Sequence, residues 1–312
     1  MPGSTNTAAE PTAFLNGEYL PLSRASVGIF DAGFVQGVTV AEQLRTFRGK
    51  LFRLEMHLER LAHSLEIVGL RPSQSLHELG RIATELVERN RRLIDADDDL
   101  GATIFVTPGM SAAYSAVAKQ SGPTVCVHTQ PLSFGQWADK YRTGDSLVVT
   151  DIVQVPDECW PRALKCRSRM HYYLADKQAR ETVPGARALL LDKDGFVTEA
   201  STANVVIYNP SEGLISPPRE AVLPGVSVAV LEELATQLQI PFLHRPLTLA
   251  EFAAADEVLL CSTSPCVWSV TRLNGRPIGD GKPGPVCQRL RAAWSELVGL
   301  DIEAQATRFA SR

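Results

Sequence analysis

Short apolar runs separated by turn residues open the chain. FLNGEYLPL, Phe14 to Leu22, has apolar positions on both sides of Asn16-Gly17, a dipeptide suited to a two-residue hairpin turn. TVAEQLRTFRGKLFRL predicts a second strand pair turning at Arg48-Gly49-Lys50. The period then changes. Leu54, Leu58, Leu61, Leu65 and Val68 recur at spacings of four and three, which predicts an amphipathic helix closed by Gly69. Leu76, Leu79, Ile82, Leu86 and Leu93 repeat the pattern in a second helix, and ATIFVT and TVCVHT are β-rich. Residues 12–130 are therefore expected to form one α/β (α+β) domain.

PLSFGQWADKYRTGDS, residues 131–146, has turn residues and no clear period, and is expected to link two domains. LVVTDIVQV then opens a second unit, 147–312. RALLLD and FVTEAS flank a hairpin at Lys193-Asp194-Gly195, and NVVIYN and LIS flank PSEG. Val226–Leu238 reads as a helix, Thr248 and Glu251 as a capping box, DEVLLCST as a strand and Asn274-Gly275 as another hairpin turn. PGPVCQRLRAAWSEL, with proline near its start, is expected to be the last helix. Residues 1–11, small and polar, are expected to be disordered.

Composition narrows the class. The chain has 312 residues, 45% hydrophobic and 21% charged, with a net charge of −4. That length supports two domains with sizeable cores. With no basic stripe, nucleic acid is not an expected partner, and with no apolar run of spanning length, neither is a membrane. The six cysteines form no C-x-x-C pair and no zinc spacing, so free thiols in a reducing cytosol are expected, and no metal.

Four pieces of the second half carry chemistry. RALKCRSRMHYYLADKQARE places Lys165 among Arg162, Arg167 and Arg169. A lysine amine is nucleophilic only when neutral, and neighbouring cations or burial favour that form. Glu199, in VTEASTAN, could hold a positive charge on a bound ring. After Pro224-Gly225, a helix beginning near Val226 and Ser227 offers unpaired amides and a positive dipole end to an anion. Ser262, Thr263 and Ser264 gather hydroxyls at a strand end. Each piece alone reads as an ordinary surface or turn feature. Together they match the needs of pyridoxal 5′-phosphate: an amine for the aldehyde, a carboxylate for the ring nitrogen and anion-binding turns for the phosphate.

The motifs HLERL, LK followed by LADKQA, DGFVTEASTANVVI, LPGVS, ADEVLL and NGRPIGDGKPGP follow in an order that resembles the class IV, or fold type IV, pyridoxal-phosphate aminotransferases. That group includes branched-chain aminotransferases, D-amino-acid aminotransferases and 4-amino-4-deoxychorismate lyases. The resemblance covers nearly the whole chain. It implies a two-domain fold, an N-terminal α/β sandwich and a C-terminal pseudo-barrel, with the cofactor in the cleft between them, and a homodimer. It also implies Lys165 as the Schiff-base lysine and proton shuttle, Glu199 as the pyridinium partner and Arg60 as a phosphate ligand. Leu223 would pack on the ring, with Val226 and Ser227 at the phosphate and Ser262 and Thr263 near phosphate and substrate. Lys165 is expected at a strand–helix seam, where its amine returns to one point each cycle.

The substrate side departs from the family pattern. Met170 stands five positions after the lysine, where branched-chain enzymes carry tyrosine. Pro108 replaces a strand-end arginine, and Ala41 replaces an aromatic residue before Glu42. Cys266 and Trp268-Ser269 depart from the usual residues after the Ser/Thr turn. Arg167 or Arg169 is expected to help bind the substrate carboxylate. Tyr172 and Tyr173 are expected to pack in the core and His171 to have no catalytic role. The expected activity is amino transfer between an amino acid and a 2-oxo acid, of branched-chain or D-amino-acid type, in the cytoplasm. A 4-amino-4-deoxychorismate lyase and a non-catalytic binding protein are the alternatives.

Overall fold

Alternating apolar residues and the Asn16-Gly17 turn give the first hairpin: β1 (Thr12–Leu15) and β2 (Glu18–Pro21) pair antiparallel, with both turn residues at positive φ, 50° and 98°. The computed structural model describes residues 10–114 and 122–312, so residues 1–9 of the expected disordered start lie outside the described residues. The chain divides into two compact units, Met1–Leu132 with Lys165–Ser168, and Ser133–Leu164 with Arg169–Arg312.

The first unit is a two-layer α/β sandwich. Its strands continue with β3 (Val40–Phe47), β4 (Lys50–Leu51), β5 (Leu100–Thr107) and β6 (Thr124–Pro131), in the sheet order β2-β1-β6-β5-β3-β4, antiparallel throughout. After a short turn of helix, α1 (Ala32–Val35), two fifteen-residue helices cover the sheet: α2 (Leu54–Val68), which packs on β3, and α3 (Leu76–Asn90), which packs on β1, β5 and β6. Gly69 ends α2 in the left-handed conformation, and a reciprocal Ser75–Glu78 capping box starts α3. Asn90 ties α3 to the sheet: it exchanges two 2.8 Å hydrogen bonds with the Thr12 main chain and donates to Thr129 Oγ1 at 2.8 Å.

The second unit closes a sheet on itself. After α4 (Lys140–Thr143) come β7 (Asp145–Val149), α5 (Met170–Thr182), β8 (Arg187–Leu191), β9 (Val197–Ala200), β10 (Ala203–Asn209) and β11 (Gly213–Ser216). Then follow α6 (Val226–Gln237), β12 (Phe242–His244), α7 (Leu249–Ala253), β13 (Glu257–Ser262), β14 (Cys266–Leu273), β15 (Arg276–Pro277), α8 (Pro285–Val298) and α9 (Ile302–Arg308). The order is β12-β11-β10-β13-β14-β7-β8-β9, and β9 also pairs with β10, so the strands from β10 round to β9 form a barrel. Among the described residues no helix is long and apolar enough to cross a membrane, and all six cysteines are free thiols.

Three expectations are corrected. The supposed linker is folded: Phe134, Trp137, Ala138 and Tyr141 are buried at a helical spacing, and the stretch carries α4 and the start of β7. Ser133 just before those residues, and Gly135 and Asp139 between them, hid the pattern. The helix starting at Pro285 is not the last, because Gly299 ends it and Asp301 caps α9 by accepting from the Ala304 amide at 2.9 Å. LVVTDIVQV is strand only to Val149, so Lys165 is not at a strand–helix seam. It lies in an irregular segment five residues before α5.

Candidate active site

The buried face of α2 carries His57, Arg60 and Ser64 beside Leu61 and Leu65. The leucine stripe does not announce these polar residues, and each is tolerated because it finds a partner. Glu42, on β3 and 1% exposed, accepts from Arg60 Nε at 2.7 Å and from Arg60 Nη2 at 2.8 Å, the fork-to-fork geometry natural to guanidinium and carboxylate. Its Oε2 also lies 2.8 Å from His57 Nδ1. Burial alone would raise the Glu42 carboxyl. The charge and hydrogen bonds of Arg60, the His57 hydrogen bond and the charge of Lys165 outweigh it and bring it down to about 2. His57 is held below its ordinary range, chiefly by burial, so near neutrality its uncharged ring donates through Nδ1 to Glu42.

Lys165 belongs to this unit and is fixed through its backbone. Its amide donates to Ser64 Oγ at 3.1 Å, and its carbonyl accepts from the Ala41 amide at 3.0 Å. Cys166 forms a β-bridge with Val40, the Arg167 amide donates to the Thr39 carbonyl at 2.9 Å, and Ser168 Oγ donates to the Gly37 carbonyl at 2.6 Å. Residues 165–168 are thus stitched along β3. A loop lysine becomes a fixed one with no regular element of its own.

In the second unit, Glu199 lies on β9, a strand buried at every position. Its Oε1 accepts from Gln154 Nε2 at 2.5 Å and from the Tyr172 hydroxyl. The Tyr172 phenol is pushed well above its ordinary range by burial and then by Glu199, so it is a hydroxyl donor at any working pH. The next turn holds Thr202 at φ 64°, unusual for a β-branched residue. Arg187 Nη1 donates to the Ser201 carbonyl at 2.7 Å, and Ser262 Oγ to the Thr202 carbonyl at 3.1 Å. Thr263 is in the turn between β13 and β14, and Cys266, buried after that turn, also has positive φ, 61°.

The start of α6 is built for close approach. Gly225 is its N-cap and supplies no capping side chain, and a Cβ there would fall 2.1 Å from Asn204 Oδ1. Asn204 Nδ2 donates to the Leu223 carbonyl at 3.0 Å, bracing the turn that leads into the helix. Val226 and Ser227, the first two helical residues, are buried. The amides of a helix's first turn lack intrahelical acceptors, which leaves an anion-binding end.

Within the first unit the structure groups Arg60, Ala41 and Lys165. Within the second it groups Glu199 with the Thr202 turn and Ser262, and Leu223 with Val226 and Ser227. Arg167 is exposed, and Arg169 caps α5 rather than lying on it. Its charge acts on Tyr172. Tyr173 is 67% exposed, so the expectation that it packs in the core fails; Tyr172 does pack, through its ring, but its hydroxyl is spent on Glu199. Sequence reasoning passed over Glu42, His57, Ser64, Gln154 and Asn204. Only Glu42, a charge in the middle of an apolar strand, carried a readable signal.

The chain matches the family model described as amino-transferase class IV over residues 39–273. It is 29% identical over 293 residues to a D-alanine aminotransferase of Staphylococcus aureus, covering 91% of this chain and 97% of that one. It is also 29% identical to branched-chain-amino-acid aminotransferase-like protein 2 of Arabidopsis thaliana, covering 93% of this chain and 50% of that one. Among solved structures, branched-chain amino acid aminotransferase of Escherichia coli superposes with a TM-score of 0.84 at 22% identity, covering 93% of this chain and 95% of that one. The T.th. branched-chain amino acid aminotransferase with pyridoxamine 5′-phosphate gives a TM-score of 0.84 at 23% identity, covering 93% and 94%.

Proposed function

The chain belongs to the class IV aminotransferases, and from that premise we propose that it transfers an amino group between an amino acid and a 2-oxo acid with pyridoxal 5′-phosphate as its cofactor. The residues fit that group. The start of α6 has no capping side chain, which leaves its first amides for an anion such as a phosphate. The donor set of lysine, arginine, buried carboxylate and hydroxyls matches an aldehyde, a phosphate and a pyridinium.

Lys165 would hold the aldehyde, and, once the substrate's amine has displaced it, its own amine would take and return the proton at the substrate Cα. Glu199 would be the acidic partner of the ring nitrogen. For the phosphate the first unit would offer Arg60, and the second the amides of Val226 and Ser227 and the hydroxyls of Ser227, Ser262 and Thr263, with Leu223 as the residue for the ring. When bound, the cofactor supplies an imine-forming carbonyl and an electron-withdrawing ring. Ala41 borders the substrate, and Arg167 and Arg169 offer cations to its carboxylate. Arg167→Ala then raises KM for donor and acceptor; an unchanged KM removes that role.

The observation that carries the reading is the Lys165 backbone, held by Ser64 and Ala41 in the unit where Glu42 fixes Arg60. Its test is borohydride reduction followed by peptide mapping, which should place a pyridoxyl label on Lys165; a label elsewhere, or none, overturns it. The full-length likeness to D-alanine aminotransferases supports a D-amino-acid donor first and a branched-chain L-amino acid second. A panel of L and D donors with 2-oxoglutarate as acceptor separates the two.

A homodimer is part of the reading. Ile29 and Phe34 are 70% and 74% exposed on one short stretch of the first unit, an apolar surface that a second copy would cover. Light scattering measures the mass. The six free thiols are consistent with a cytoplasmic setting.

A further inference from the structure

Glu199 is steadied by a pair of neutral donors that converge on one oxygen. The Tyr172 ring packs against the core of Val148, Ala175, Ala179, Ala186, Ala188 and Leu190, so the hydroxyl cannot swing away without unpacking the ring. Gln154 is 5% exposed, and its Oε1 accepts from the Val155 amide at 3.0 Å. That bond decides the amide's orientation: the oxygen must face the backbone N–H, so the NH2 must face Glu199. Gln154 is held in turn by its own amide, which donates to the Leu191 carbonyl at 2.8 Å. Both donors therefore have a single usable direction.

Two hydrogen bonds to one carboxylate oxygen do two things. Hydrogen bonds to a carboxylate favour its ionised form, and here they fix its plane, which decides where the other oxygen points. Because both donors are neutral, they achieve this without adding a cation of their own that would compete for the carboxylate's charge. Of the charged groups around them, Arg169 acts on Tyr172 by lowering the phenol against the larger effects of burial and Glu199.

We propose that Tyr172 and Gln154 are positioning residues that set the charge and the direction of Glu199 toward the cofactor's ring nitrogen. The strength of the electron sink is then set by the first turn of α5 and by the segment that follows β7. This rests on the function proposed above, and its test can fail separately from it.

Tyr172→Phe keeps the ring packed and removes only the hydroxyl; Gln154→Leu is the second variant, used alone if the first does not fold. In the apoprotein, the Glu199 carboxyl stretch is followed by infrared titration and assigned by its loss in Glu199→Gln. Each variant should move its midpoint upward by about one pH unit or more, a tenfold change in proton affinity. In holoenzyme loaded with 15N-labelled pyridoxal 5′-phosphate, the ring-nitrogen resonance should shift toward the unprotonated position. The half-reaction with the amino donor should slow by about tenfold, with donor KM held within about twofold. A variant whose carboxyl titrates with the wild type, or whose nitrogen resonance does not move, overturns the proposal. If the wild type takes up no cofactor, the proposed function falls, and the apoprotein titration still decides this claim.

Discussion

Gly225→Ala isolates the packing at the start of α6. Gly225 has φ −73° and ψ 126°, which alanine adopts freely, so the substitution is tested by space alone. The new methyl would lie 2.1 Å from Asn204 Oδ1, 3.1 Å from its Cγ and 3.3 Å from Val228 Cγ2. Asn204 is 7% exposed and must move, breaking its 3.0 Å hydrogen bond to the Leu223 carbonyl. That bond is worth about 1 kcal/mol, and overpacking a tight site costs about 1–3 kcal/mol more. Gly225→Ala should therefore destabilise the apoprotein by about 2–4 kcal/mol in urea unfolding. Asn204→Ala alone should cost about 1–2 kcal/mol, because the Leu223 carbonyl loses its donor. In the double variant the methyl takes up vacated room, so the cost should stay near that of Asn204→Ala, with a coupling of about 2 kcal/mol. A wild-type midpoint for Gly225→Ala, or simple additivity in the double variant, refutes the reasoning.

Glu42 falls from an ordinary 4.5 to about 2 on folding, so it stabilises the fold at pH values above 4.5 and that stabilisation is lost as pH falls toward 2. The shift corresponds to on the order of 3 kcal/mol. Glu42→Gln should cost about that at pH 7, and the gap to wild type should close between pH 4.5 and 2 in urea unfolding. His57, also lowered on folding, acts with the same sign: below its ordinary 6.5 the unfolded chain takes up a proton that the folded ring resists, so stability should begin to fall from about pH 6.5 downward, and His57→Gln should flatten that limb. Asn90→Ala, which breaks three hydrogen bonds between α3 and the sheet, should cost about 2–4 kcal/mol, read from the same transitions. Lys165→Ala should lose the reducible label and slow amino transfer by about a thousandfold or more, measured in single turnover.

The hairpins and caps were legible because their causes are local. Asn16-Gly17 turns as its residue types require, and Ser75–Glu78 and Thr248–Glu251 close both halves of their capping boxes. Asp301, two residues after Gly299, announced α9 by the same logic and was passed over. The site was legible only as far as its motifs. Tyr172 and Gln154 lie 27 and 45 residues from Glu199, and no period or spacing joins them. His57, Arg60 and Ser64 sat among leucines, where helical periodicity predicts water-facing polar groups; Glu42 and the residue 165 backbone reversed that. The linker was misread because four buried residues were spaced helically through a run rich in turn formers.

Lys165 meets Ser64 across 101 residues of chain, with 133–164 belonging to the other unit. A chain ended at Leu132 would keep Glu42, Arg60 and Ser64 and lack the amine. During synthesis the same gap is a delay: the earlier sheet emerges first with the Val40 end of β3 uncovered on the side where β4 pairs only with Thr46 and Phe47, and it receives Lys165 only after the ribosome has passed Ser168. The two units cannot therefore be traded as separate modules, since four residues of one are delivered from inside the other.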